Sequence, residues 1–179
     1  MQNKIQRVSK FLRVIFQIAF VVWPLMLALY WILLLHHGAN NLLVDFIPKG
    51  TEILHPITRT DAFLGFLIGL LPTTIGMIII YFLIKLFKLY EQGKIFTLSN
   101  VEYLRKIGIF MLINEGAGFI YDALITFVLT MHNPKGHWVS SFTFSNYDLY
   151  AIFTAIMVIV ISWIMAEGCK LNEEQQLTV

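Results

Sequence analysis

At 179 residues, with 58% hydrophobic and only 13% charged side chains, the chain departs from the soluble average of about 45–50% apolar and about 25% charged, and it reads as a membrane protein. Its 13 basic and 11 acidic residues avoid four long apolar runs and collect between them, so the small positive balance does not point to direct nucleic-acid binding. One cysteine, Cys169, excludes an internal disulfide and a cysteine-rich metal site.

The four apolar runs are Val14 to Leu35, Ala62 to Ile84, Ile107 to Met131 and Leu149 to Ala166. Each falls in the range of about 17–25 residues that a helix needs to cross the hydrocarbon of a bilayer. The opening segment "MQNKIQRVSKFLR" is basic like the start of a signal peptide. The run behind it is longer than a usual signal core and lacks a small-x-small cleavage site, so it reads as a retained span. Inside the hydrocarbon no water satisfies backbone amides, which makes these runs helices rather than an open sheet. Lys4, Arg7, Lys10 and Arg13 precede the first span, and Lys85, Lys88, Lys94, Arg105 and Lys106 lie between the second and third. The other two connections hold only Lys49, Arg59 and Lys135, so the positive-inside rule predicts cytoplasmic termini. The expected architecture is all-α: a single domain over residues 1–179, a four-transmembrane-helix bundle with N-in/C-in topology.

The first outer connection, "HHGANNLLVDFIPKGTEILHPITRTD", is long and mixed, with a turn signal at Pro48-Lys49-Gly50. The second, "HNPKGHWVSSFTFSNYD", alternates apolar and polar residues after Pro134 and Gly136, which predicts a short hairpin or an interfacial flap. The cytoplasmic connection predicts a helical elbow. Span two continues through Leu89, Gly93 breaks it, and Ser99 with Glu102 three residues on forms a capping box for the next helix. Gly65 and Gly69 in "GFLIG" make a small-xxx-small packing motif that Gly76 extends along roughly the same stripe. Ala151, Ala155, Ser162 and Ala166 give span four a similar small face. The tail "EGCKLNEEQQLTV" predicts a helix end and a short extension, with Cys169 a small filler or a lipidation site.

Span three carries the unusual chemistry. Glu115 and Asp122 stand two turns apart on nearly one line of the helix, bordered by Asn114 and Tyr121. The far side, Ile113, Ala117, Ile120, Leu124 and Phe127, suits lipid. A carboxylate at the bilayer centre costs roughly 2.5–3.5 kcal/mol on insertion scales, so two of them need compensation or a use. No lysine, arginine or histidine lies within a span, leaving Gln17, Thr73, Thr74, Thr154, Ser162 and Tyr121 as hydrogen-bonding partners unless Arg59 or a loop histidine folds inward. Two readings stand side by side: interhelical hydrogen bonding, and a polar site for a proton, cation or ligand.

His36, His37, His55, His132 and His137 all fall in the two outer connections, where imidazoles can bind metal or sense acidity. None of their spacings is that of a helical zinc pair, and neither a metal site nor a cofactor is predicted. No Ser-His-Asp order, HExxH motif or exposed acid pair supports catalysis.

The string "YEQGKIFTLSNVEYLRKIG" with the closing "LNEEQQLTV" resembles a bacterial family of small four-span inner-membrane proteins of unknown function. The pattern runs through Gly93, Phe96, Thr97, Asn100, Val101, Leu104, Arg105 and Gly108, then Leu171, Glu173, Glu174, Leu177 and Val179. Members are often encoded beside a small helix-turn-helix regulator, so the resemblance implies a membrane protein that passes a signal to a cytoplasmic transcription regulator. The expected function is therefore regulatory or sensory and non-enzymatic, with Gly93 to Arg105 and the tail as the partner-binding surface. A proton- or cation-coupled transporter or channel subunit using Glu115 and Asp122 is the alternative, and it favours a homo-oligomer.

Overall fold

A computed structural model describes residues 2–37, 47–48 and 51–177, with side chains described for residues 4–36, 47–48 and 51–171. It contains four helices in chain order: α1 (Gln2–His37), α2 (Arg59–Glu91), α3 (Leu98–Thr130) and α4 (Asn146–Leu177). All four are long and apolar enough to cross a membrane, so the protein is an all-helical, multi-pass membrane protein. At 32 to 36 residues each, they are about 50 Å long and overrun a hydrocarbon layer of about 30 Å. Pro24 and Pro72 lie inside α1 and α2 without ending either helix. Large apolar side chains such as Ile18, Val21, Phe153, Met157 and Ile164 remain exposed on the helices, as faces turned to lipid require.

Residue contacts divide the chain into two compact units. The first comprises Met1–Val21, Ile75–Ile113 and Asn146–Val179. Here α3 meets α4 closely, because a Cβ on Gly108 would lie 2.6 Å from Ile159 and 3.0 Å from the Ala155 carbonyl. Phe82 packs against Phe110 and Tyr103, and Phe16 against Phe87. Arg13 and Glu91 form an ion pair at 2.9 Å whose guanidinium N–H is angled off the carboxylate, a charge contact rather than a directed hydrogen bond. Cys169 is buried on α4, which suits a small filler and not a lipidation site.

The turn between α2 and α3 belongs to this unit. Gly93 adopts a φ of 75°, its N–H bonds to the Tyr90 carbonyl, and the Lys94 N–H reaches back to Leu89. This is the Schellman ending, in which a left-handed glycine satisfies the last helical carbonyls. The new helix starts earlier than the Ser99 box predicts. Asn100 and Val101 N–H groups bond to the Thr97 carbonyl, so Thr97 is the cap position, Ser99 lies inside α3, and Glu102 pairs with Lys106 at 2.6 Å. The physical reason is Asn100. Its fully buried amide donates to the carbonyls of both Lys94 and Ile95 at 2.6 Å, fixing the turn from inside the helix.

The second unit comprises Val22–Thr74 and Asn114–Ser145. Its core is Leu27, Tyr30, Trp31 and Leu34 of α1, Ala62 of α2, and Ile125 and Leu129 of α3. A Cβ on Gly65 would overlap the Trp31 ring, and one on Gly69 would lie 3.0 Å from Leu27. Those two glycines therefore let α2 lie against α1. At Gly76, in the first unit, an added Cβ would meet nothing within 4 Å.

Within the second unit, residues 139–143 run back along α3. Thr130 Oγ1 accepts from the Val139 N–H at 2.9 Å and faces its carbonyl at 3.1 Å; Thr126 Oγ1 does the same with Ser141 at 3.1 and 3.2 Å. Asp122 is the next rung, accepting from the Thr143 N–H at 3.4 Å. The register closes because four helical residues advance about 6 Å while two residues of near-extended chain advance about 6.6 Å. Phe142 and Phe144, two apart, both pack on Phe119. The alternating second connection is thus a flap riveted to α3 by a hydroxyl ladder.

Candidate functional site

The densest polar cluster among the described residues caps the second unit. It begins with the start of α2, where Thr58 and Asp61 form a reciprocal capping box: the Asp61 N–H donates to Thr58 Oγ1 at 3.2 Å, and the Thr58 N–H donates to Asp61 Oδ2 at 2.9 Å. The Thr58 hydroxyl also donates to Oδ2 at 2.8 Å. Asp61 is completely buried. Its other oxygen, Oδ1, lies 3.0 Å from His132 Nδ1, just past the end of α3. His55 Nδ1 stands 3.9 Å from Asp61 Oδ2, and the two imidazoles meet edge to face with centroids 5.4 Å apart.

Asn133 holds the two histidine-bearing segments together. Its Oδ1 accepts from the Leu54 N–H at 3.0 Å, and its amide donates to the carbonyls of Glu52 at 2.9 Å and His137 at 3.2 Å. The Trp138 indole closes the same corner by donating to the Asn133 carbonyl. Leu54 adjoins His55 and Asn133 adjoins His132, so one buried side chain sets the spacing of the pair. One ligand-type atom from each of His55, Asp61 and His132 lies within 4.8 Å of the others, which makes this the place where a metal ion would fit.

The acids of span three sit elsewhere. Glu115 and Asp122 are half-buried on α3, as are Asn114 and Tyr121, and Asn114 Oδ1 is buried without a hydrogen-bond partner among the described residues. Ile113, Ile120, Leu124 and Phe127 are exposed on the opposite side, whereas Ala117 is buried. Asp122 is a rung of the flap ladder, and Tyr121 packs on the hydrophobic core. At the α2–α3 turn Phe96 is 68% exposed while Asn100 is fully buried. Gly93 and Thr97 belong to the same turn, and Arg105 is exposed two turns into α3. The tail residues of the family-like pattern from position 172 onward lie outside the described side chains, as do His37, Lys49 and Gly50.

A family model matches residues 15–179 of the chain. The chain belongs to DUF2975, a family of proteins of unknown function. No curated protein and no solved structure matches it. The match takes in α1 from Ile15 onward and all of α2, α3 and α4, and membership in DUF2975 assigns a role to none of them.

Sequence reasoning missed the convergence of His55, Asp61 and His132. Half of the signal was present, since Thr58-Arg59-Thr60-Asp61 has capping-box spacing and would have placed Asp61 in the first turn of α2.

Proposed function

We propose that this protein is a non-enzymatic regulatory or sensory protein of a bacterial inner membrane, with both termini and the α2–α3 turn in the cytoplasm. The distribution of lysine and arginine supports that orientation. The observation that carries the reading is the α2–α3 turn. Its backbone is immobilised by a Schellman ending and by Asn100, yet it presents Phe96 and Leu98 outward, at 68% and 57% exposure. A fixed apolar side chain loses little entropy on docking, and exposed Lys94 and Arg105 give the patch a basic rim. A soluble partner with an apolar pocket and an acidic edge fits this surface, and a helix-turn-helix regulator is the partner proposed. Asp122 already has a structural task in the flap, which favours this reading over a proton- or cation-coupled transporter built on Glu115 and Asp122.

A photo-reactive amino acid placed at Leu98 in native membranes tests it. Cross-linking to a helix-turn-helix regulator, lost on Phe96→Asp with membrane levels unchanged, is the expected result. Cross-links to lipid alone would show that the turn is an interfacial anchor and overturn the reading.

A further inference from the structure

We propose that His55, Asp61 and His132 form a binding site for one divalent transition-metal ion of the zinc class, with a coordination position left open beside the exposed His132. The site stands independently of any signalling role.

Donor chemistry is the first support. Two imidazole nitrogens and a carboxylate are a set that borderline divalent ions take, and three protein ligands leave the fourth tetrahedral position for water or a further group. The carboxylate is completely buried, and its Oδ2 accepts two hydrogen bonds from Thr58, which leaves Oδ1 facing His132 with His55 on the Oδ2 side.

His55 supplies the second. Its Nε2 lies 3.2 Å from the Leu129 carbonyl and its Nδ1 lies 2.9 Å from the Pro56 carbonyl. A ring with a single N–H can donate to one of these carbonyls, which leaves the other nitrogen's lone pair against oxygen. With the proton on Nε2 and donated to Leu129, the Nδ1 lone pair, the Pro56 carbonyl and the Asp61 carboxylate all present electron density to one small volume. A cation relieves that arrangement. Metal-bound histidines commonly anchor their second nitrogen on a backbone carbonyl in this way, which fixes tautomer and ring orientation.

Geometry is the third. Tetrahedral ligands at about 2.0–2.1 Å from zinc lie about 3.3 Å from one another. His132 Nδ1 is already 3.0 Å from Asp61 Oδ1, His55 Nδ1 stands 3.9 Å from Asp61 Oδ2, and one ligand atom from each residue lies within 4.8 Å of the others, so side-chain movements of about 1–1.5 Å would complete the set. The Asn133 clamp holds the two histidine-bearing segments in place, and the exposed His132 ring provides the entry path.

The test uses full-length protein in detergent, carrying an affinity tag without histidines and freed of metal with a chelator. Titration with Zn²⁺ alone, followed by calorimetry, is expected to give one ion per chain, and Co²⁺ alone is expected to give the visible absorption of a nitrogen–oxygen site of low coordination number. Asp61→Asn also alters the α2 cap, so the deciding variants are His132→Ala and His55→Gln. Each is expected to weaken binding at least about tenfold with the helical circular dichroism unchanged. Absence of stoichiometric Zn²⁺ binding by the unmodified protein would overturn the proposal, leaving the cluster as a hydrogen-bonded His–Asp contact. Binding that survives His132→Ala unchanged would also overturn it.

Discussion

Thr130→Val isolates the hydroxyl ladder that holds the flap to α3. Valine keeps the shape of a side chain that is completely buried, so packing changes little. What disappears is the acceptor for the Val139 N–H at 2.9 Å and the opposed contact with its carbonyl at 3.1 Å. Leaving a partly buried N–H without its partner costs about 1–3 kcal/mol. At 1.4 kcal/mol per decade, flap opening becomes roughly 5- to 150-fold more frequent. The opening is local, so the melting temperature of the helices should move far less than the exchange rate of the flap. Hydrogen exchange of residues 134–145, read by mass spectrometry in detergent or nanodiscs, measures this directly. Thr130→Ser keeps the hydroxyl and should retain most of the protection, while Thr126→Val should release Ser141 in the same manner. Unchanged exchange in both valine variants would show that aromatic packing on Phe119, and not the ladder, holds the segment.

Gly65→Ala should destabilise the protein by about 1–3 kcal/mol, because its methyl group overlaps the Trp31 ring, even though helix propensity favours alanine by about 1 kcal/mol. Gly76→Ala, with open space around it, should be neutral or stabilising, and thermal unfolding in one detergent compares the two. Asn100→Ala strips the Lys94 and Ile95 carbonyls of their donor, and limited proteolysis should then cut residues 92–97 at least about fivefold faster, matching a loss of about 1–3 kcal/mol. Asn133→Ala breaks three side-chain hydrogen bonds at the cap and should lower stability by about 2–4 kcal/mol, seen as faster exchange across residues 51–57; an unaltered profile would show that the histidine segments hold themselves.

The four helices were legible because the requirement behind them is one-dimensional: a long apolar run has a single backbone solution in lipid. Their ends were less so. A capping box is a pattern of two residues, and both Ser99-Glu102 and Thr58-Asp61 carry its spacing. The chain uses the one at Thr58, where the aspartate is buried. Near Ser99 the helix start is set by Asn100, whose amide reaches backward to two carbonyls that no forward-reading pattern includes. Gly65 and Gly69 lie where small residues on α2 allow close approach, and the partner, Trp31, is a residue whose size conceals that role in the sequence.

Asp122 and Asp61 show why an acid's place in a hydrophobic run does not reveal its task. Read along α3, Asp122 needs a neighbour in the membrane, yet it accepts from the Thr143 amide, 21 residues later on a segment that doubles back. The match depends on two different rises per residue, about 1.5 Å and about 3.3 Å, which coincide only when helix and flap lie side by side. Asp61 lies at the edge of an apolar run, where an acid attracts no attention, and it is the most completely buried carboxylate among the described residues. Its two histidines come from 6 residues before it and 71 after, brought together by Asn133. Burial of that carboxylate is tolerable only with several directed partners at once, here the Thr58 N–H and hydroxyl with two imidazoles in reach. A cluster assembled across so much sequence forms when the helices pack, so any variant that loosens Asn133 should separate the imidazoles before it unfolds a single span.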